Sequence, residues 1–238
     1  VYKRQLYYCI NAPMFTRVRH IAFNTEAERQ LCRSVFGRFL APNSIVGCGI
    51  EMAPEAEWGG VKAKYELPDE YVLYLGRVSK AKVDKLLPYF LRCKAKYGGD
   101  AKLVLVGGFE NEIRKFDSPD ILFTGYVSDE EKTAIVRHAT VMVNPSPMES
   151  LSLLMLEGMQ SRIPLLVNGR SKVMKDHCRL SGAGLWYNNG RDFRKKLHRL
   201  LSDPELRRTM SEKGPAYVRE HYDWEIIIPK LRTLIESI

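Results

Sequence analysis

The sequence predicts an α/β fold, a doubly wound parallel sheet with a helical C-terminus. Three observations predict it. Short apolar runs alternate with helical patterns through the middle of the chain, as in strands joined by helical crossovers. The runs are apolar at every position rather than every second one, as expected when helices cover both faces of a sheet. From about Arg191 onward the pattern is helical, with no further strand.

The first 55 residues differ from the rest. They hold one strand, Ile21 to Phe23, and a helix, Glu26 to Phe36, that Asn24 or Thr25 can cap. A second short apolar piece follows at Ile45 and Val46. This is too little for an independent core. Glu55 to Glu70 contains Gly59, Gly60 and Pro68 and reads as a linker or loop.

The alternation then begins. Tyr71 to Leu75 is a strand, and Lys82 to Tyr97 a helix. Lys102 to Val106 is a strand that ends at Gly107-Gly108, and Ile121 to Phe123 is short and extended. Ser128-Asp129-Glu130-Glu131 is a capping box that opens a helix to His138. Thr140 to Val143 and Ile163 to Val167 are strands, and Ser171 caps a further helix. Gly184 to Tyr187 is the last strand. Asp203-Pro204-Glu205 stops one helix and starts another, since proline suits a first helical turn. That helix ends over Tyr217 to Tyr222, and Trp224 to Ile238 forms the last one.

Composition narrows the function classes. The chain has 238 residues, 45% of them hydrophobic, and no apolar run of membrane-spanning length. It opens Val1-Tyr2-Lys3-Arg4-Gln5, which is no signal peptide, and reads as the middle of a longer protein. Cys9, Cys32, Cys48, Cys93 and Cys178 are scattered and form no C-x-x-C, which favours reduced thiols in the cytoplasm over a zinc site. The net charge of +9 fits nucleic acid, an anionic membrane surface, ligand phosphates, or simply solvated helix faces. The basic residues are spread out and accompany no nucleic-acid-binding motif, so nucleic acid is not expected as a partner. A peripheral membrane contact stays open.

The most informative stretch is Pro145 to Met159. Glu149 sits in a turn after an apolar strand, and Glu157 inside an almost wholly apolar segment. If Ser150 or Ser152 caps a helix here, large apolar side chains occupy every face: Leu151, Leu154 and Met155 on one side, Leu153 and Leu156 on the other. Such a helix is buried. A carboxylate within it needs a polar partner, because an unpaired buried charge is costly. Arg162 is one candidate, and a ligand another.

Ligands of doubly wound sheets bind beyond the carboxyl ends of the strands. After the first strand of the sheet stand Gly76, Arg77 and Lys82. The glycine lets backbone approach a ligand. Two cations beside a helix start are electrostatically misplaced unless an anion joins them, and a diphosphate fits. Gly107-Gly108 is too short for a dinucleotide fingerprint. After the fourth strand come Glu149 and the amides of Ser150, Leu151 and Ser152. Cations for phosphate and acids for hydroxyls together suit a nucleoside diphosphate sugar.

At this point the sequence resembles a known family. Gly76-Arg77 with Lys82, Phe123-Thr124-Gly125-Tyr126-Val127-Ser128, and Pro145-Ser146 with Glu149 and Glu157 look like the C-terminal half of retaining GT-B glycosyltransferases of the family 4 type. Asn24-Thr25-Glu26-Ala27-Glu28 and Gly47-Cys48-Gly49-Ile50 are similar to the end of that family's N-terminal domain. The likeness runs in order along nearly the whole chain.

The resemblance implies roles. Arg77 and Lys82 would hold the diphosphate and stabilise the leaving group without a metal. Glu149 would contact the donor sugar, the amides around Ser150, Leu151 and Ser152 would face sugar or phosphate, and Glu157 would accept from ribose hydroxyls. The donor would be a UDP-, GDP- or ADP-sugar, with no tightly bound cofactor. The acceptor would be a hydroxyl of a glycan, a lipid-linked molecule or a small molecule. The setting would be cell-envelope polysaccharide biosynthesis in the cytoplasm or at the inner face of a membrane. Residues 1–55 would be a remnant of the N-terminal acceptor-side domain with its linker, 56–220 the Rossmann-like nucleotide-sugar-binding domain, and 221–238 the crossover helix. The acceptor-side half is otherwise missing, so the alternative is a non-catalytic module that needs a partner chain. The last helix would then have a partly bare apolar face.

The chain departs from the pattern in places. Ser161-Arg162 replaces the usual small residue and glycine before Pro164, which puts bulk where close packing is usual. Ser150-Leu151 stands where Phe-Gly is common, and Val83 where a glycine commonly follows the lysine. His20, His138, His177, His198 and His221 match no functional position and are assigned no role.

Overall fold

A computed structural model of the chain describes residues 10, 12–15, 17–37, 40–108 and 118–237. Cys9 and Ile238 lie outside them. The chain divides into two compact units, 1–50 with 219–238, and 51–218.

In the smaller unit, β1 (Ile21–Phe23) pairs in parallel with β2 (Asn43–Ile45). Between them runs α1 (Glu26–Phe36), whose N-cap Thr25 accepts from the Glu28 amide at 3.1 Å. The last helix, here α10 (Trp224–Glu236), buries Ile227 completely and leaves Trp224, Ile226, Ile228 and Ile235 exposed. Gly49 lies under the Trp224 ring, where any side chain would collide with the indole.

The larger unit holds α2 (Trp58–Lys64), β3 (Tyr71–Leu75), α3 (Lys80–Val83), α4 (Leu86–Tyr97), β4 (Lys102–Val106) and β5 (Ile121–Gly125). It continues with α5 (Asp129–Arg137), β6 (Val141–Asn144), α6 (Leu153–Gln160), β7 (Leu165–Asn168), α7 (Lys172–Ser181), β8 (Gly184–Tyr187) and α8 (Gly190–Ser202). Then comes α9 (Pro204–Tyr222), the helix restarted at proline. The six strands form one parallel sheet in the order β5-β4-β3-β6-β7-β8. The doubly wound α/β class is thus observed. Tyr71 to Leu75 is buried at all five positions, so helices cover this central strand on both faces.

Four local expectations need correction. The stretch 55–70 is not all loop, because it contains α2. Two glycines made it look unstructured. The Glu57 side chain caps the helix by accepting from the amides of Gly59 (2.7 Å) and Gly60 (2.5 Å). Contacts distant in sequence then fix it: Trp58 stacks on His138 at 3.9 Å, and Tyr65 donates to Glu131 at 2.8 Å. The predicted helix from Lys82 to Tyr97 is two helices, α3 and α4. Pro88 has no N–H to give to the Asp84 carbonyl, and its ring crowds that carbonyl, so the helix restarts at Leu86.

The apolar helix after β6 is not buried all round. It begins only at Leu153, which is 45% exposed, while Leu151 is buried in the turn before it. Neither predicted serine caps it with its side chain. Ser152 occupies the N-cap position without a capping bond, and its hydroxyl accepts from Asn144 at 3.1 Å instead. Finally, Arg162 is exposed, and its bulk meets no packing restriction. What the position asks for is backbone freedom, since Arg162 has φ 65°. It follows α6, with its amide donating to Met159 O at 3.1 Å. Only glycine adopts this left-handed conformation freely. Arg162→Gly should therefore stabilise the chain by about 0.5–1 kcal/mol in chemical denaturation, and a loss of stability would contradict this reading. The capping box is as expected: the Glu131 amide donates to Ser128 Oγ at 3.2 Å, and the Ser128 amide to Glu131 at 3.0 Å. Val83, in the glycine's usual place, is fully buried in the core.

Candidate functional site

The strand order creates the site. From β3 the chain builds outward through β4 to β5, then returns to lay β6 on the other side of β3. Successive connections therefore leave β3 and β6 in opposite directions, and a crevice opens between their carboxyl ends. The loop after β3 carries Gly76 and Arg77, and the loop after β6 carries Glu149 to Ser152.

The two loops meet. Lys82, in α3, lies 3.8 Å from Glu149, with the two side chains 47% and 25% exposed. A pair that open gains little from mutual attraction. Both groups thus remain available to something entering the crevice. Tyr74 forms the floor, its hydroxyl donating to Arg77 O at 2.9 Å. Burial, helped by the Glu149 charge, pushes the Tyr74 phenol up to about 12. Arg77 is exposed in the same loop.

Glycines hold the floor tight. Gly76 has φ +128° and Gly107 has φ +130°. A side-chain carbon at Gly107 would stand 2.3 Å from Gly76 O, and one at Gly76 would stand 3.9 Å from Leu154 at the start of α6. The Gly76 amide donates to Val106 O at 3.0 Å, and the Val78 amide to Gly108 O at 2.9 Å. The loops after β3 and β4 are thereby zipped together.

On the β6 side, Asn144 orders the turn. Its carbonyl accepts from the Ser146 amide at 3.0 Å, and its amide donates to Ser152 Oγ. Ser152 has φ 68°, a left-handed conformation costly for a residue with a side chain. The position whose backbone favours glycine is therefore Ser152, just beyond the Ser150-Leu151 pair noted in the sequence. Leu151 is buried and Ser150 exposed, so only the backbone of Leu151 can face a ligand.

Glu157 lies farther along α6, with its side chain 12% exposed. Its partner is neither Arg162 nor any residue of its own helix. Lys132 of α5 reaches Glu157 Oε1 at 3.3 Å. Glu157 Oε2 is buried and has no hydrogen-bond partner among the described residues. Tyr74 and Lys132 were not singled out in the sequence. Lys132 looked like one of many helix-face cations, and Tyr74 like part of an apolar strand. Among the described residues, no group of three or more His, Cys, Asp or Glu could hold a metal ion. Nor is any described helix long and apolar enough to cross a membrane.

A doubly wound parallel sheet of this order, with its two glycine loops crossing at the switch point, places the larger unit in a class: α/β proteins of the GT-B type. The chain belongs to the glycosyl transferases group 1 family, whose sequence profile matches residues 61–217. It is 30% identical over 174 residues to the alpha-D-kanosaminyltransferase of Streptomyces kanamyceticus, covering 67% of this chain and 44% of that one. Its fold is similar to sucrose-phosphate synthase from Thermosynechococcus elongatus (TM-score 0.80, 20% identity, 98% of this chain and 61% of that one). It is equally similar to Anabaena HepE in complex with UDP and glucose (TM-score 0.80, 12% identity, 98% and 68%). The chain spans 32% to 48% of the length of five curated relatives that it matches.

Proposed function

We propose that the larger unit is the donor-binding half of a retaining glycosyltransferase that uses a nucleoside diphosphate sugar. The observation that carries this is the pairing of Lys82 with Glu149 across the switch point, beside the exposed Arg77. Arg77 and Lys82 would take the diphosphate and offset the charge that grows on it as the sugar departs. Glu149 would accept from hydroxyls of the sugar, and the backbone of Ser150 to Ser152 would line the same pocket. The buried, unpartnered oxygen of Glu157 would accept from the ribose. HepE, similar in fold, was crystallised with UDP and glucose, which supports a UDP-sugar over GDP- or ADP-sugars as the first donor to try. The acceptor would be a hydroxyl compound held by an N-terminal half, of which residues 1–55 would be a remnant with its linker, and 221–238 would be the crossover helix.

Calorimetry with UDP-glucose, GDP-mannose and ADP-glucose tests the donor site. One of the three should bind selectively, and Glu157→Ala should weaken it by about 1–3 kcal/mol by leaving ribose hydroxyls unpaired. Binding of none, or an unchanged affinity in the variant, would overturn the assignment.

A further inference from the structure

The donor reading employs Glu157 but not the residue that holds it. Lys132 is only 23% exposed, and its ammonium is 3.3 Å from both Asp129 and Glu157. Asp129 is 77% exposed, too open to anchor a covered lysine. Glu157, at 12%, is the partner that counts. Burial works against the charged lysine, yet Glu157 first and then Asp129 outweigh it and raise its pKa. The ion pair is also one-sided. Lys132 occupies Oε1, while Oε2 is buried without a donor among the described residues. A buried carboxylate oxygen with no donor is destabilising. Such an arrangement persists when another molecule supplies the missing donor.

We propose that Lys132 is a positioning residue: its ammonium ties down one oxygen of Glu157 and leaves the other to accept from the ribose hydroxyls of the bound nucleotide. This rests on the donor-site reading above. It adds a residue that touches no ligand and acts through Glu157. Without Lys132, the covered carboxylate would lose its countercharge and the orientation of its free oxygen. The cation facing Glu157 is Lys132 on α5, which Asp129 meets from the other side. Neither β6 nor β7, on which α6 also packs, carries a charged side chain.

The test is sugar-nucleotide affinity, using whichever of UDP-glucose, GDP-mannose and ADP-glucose binds the unaltered chain. Lys132→Met should weaken binding about tenfold, because the covered Glu157 carboxylate loses the cation that orients it. Lys132→Arg, which keeps the charge, should restore most of the affinity. Lys132→Met that binds with unaltered affinity overturns the inference while leaving the donor site standing. A chain that binds none of the three overturns the donor site and the inference together. Should Lys132→Met fail to fold, the comparison moves to the Glu157→Gln background, which leaves no buried carboxylate without its cation. There, adding Lys132→Met should change affinity less than about twofold, since the residue acts only through Glu157. A tenfold loss in that background would overturn the inference.

Discussion

Gly107→Ala should lower the unfolding free energy by roughly 2–4 kcal/mol, the sum of backbone strain and an unrelieved clash. The added carbon would stand 2.3 Å from Gly76 O and 3.0 Å from Gly76 C, at φ +130°. Both contacts are backbone, so no side-chain rotation relieves them. The loop after β3 would have to move, carrying Arg77 with it, and donor affinity should fall too. Denaturant unfolding measures the effect as a lower midpoint at constant slope. Gly182→Ala is the control, because Gly182 is left-handed, with φ +66°, but its added carbon meets only the flexible Lys213 side chain, at 3.1 Å. It should cost only about 1 kcal/mol. Equal losses in the two variants would mean that the crossing of the two loops contributes nothing.

Arg77→Ala combined with Lys82→Ala should weaken sugar-nucleotide binding by about 3–6 kcal/mol, counting two charge-assisted hydrogen bonds at roughly 1.5–3 each. Stability should change by less than about 0.5 kcal/mol, because both side chains are exposed and the Lys82–Glu149 pair is open to solvent. That separation of binding from stability is the informative outcome. Lys85→Ala removes a nearby exposed cation outside the crevice loops and should leave affinity almost unchanged. If it costs as much as Arg77→Ala, the chain attracts the nucleotide only through its overall positive field.

Much of the architecture was readable from the residues. The four inner strands, β3, β4, β6 and β7, are mostly apolar runs buried on both faces, whereas the edge strands β5 and β8 are only partly buried. The caps at Thr25, Ser128 and Ser171 were equally legible, because a capping side chain acts within its own turn. Strand ends were less so. β6 and β7 each extend to an asparagine, Asn144 and Asn168, whose side chains order the following loops. Polar residues of that kind look like loop in a sequence although their backbones complete the ladder. Helix α2 was missed for a related reason: its stabilising partners, His138 and Glu131, lie far along the chain.

The chemistry divides in the same way. Residue types and their order were sufficient to put cations after one strand, acids after another and a carboxylate in an apolar helix. They also placed the chain in its family. Whether those groups meet depends on strand order, because β3 and β6 are distant in sequence and become neighbours only when the chain doubles back. The partner of Glu157 was undecidable for the same reason. A buried carboxylate announces in the sequence that it needs a cation or a donor. Which lysine supplies it follows only from the packing of α5 beside α6, where long-range geometry selects Lys132 from the chain's 37 lysines and arginines.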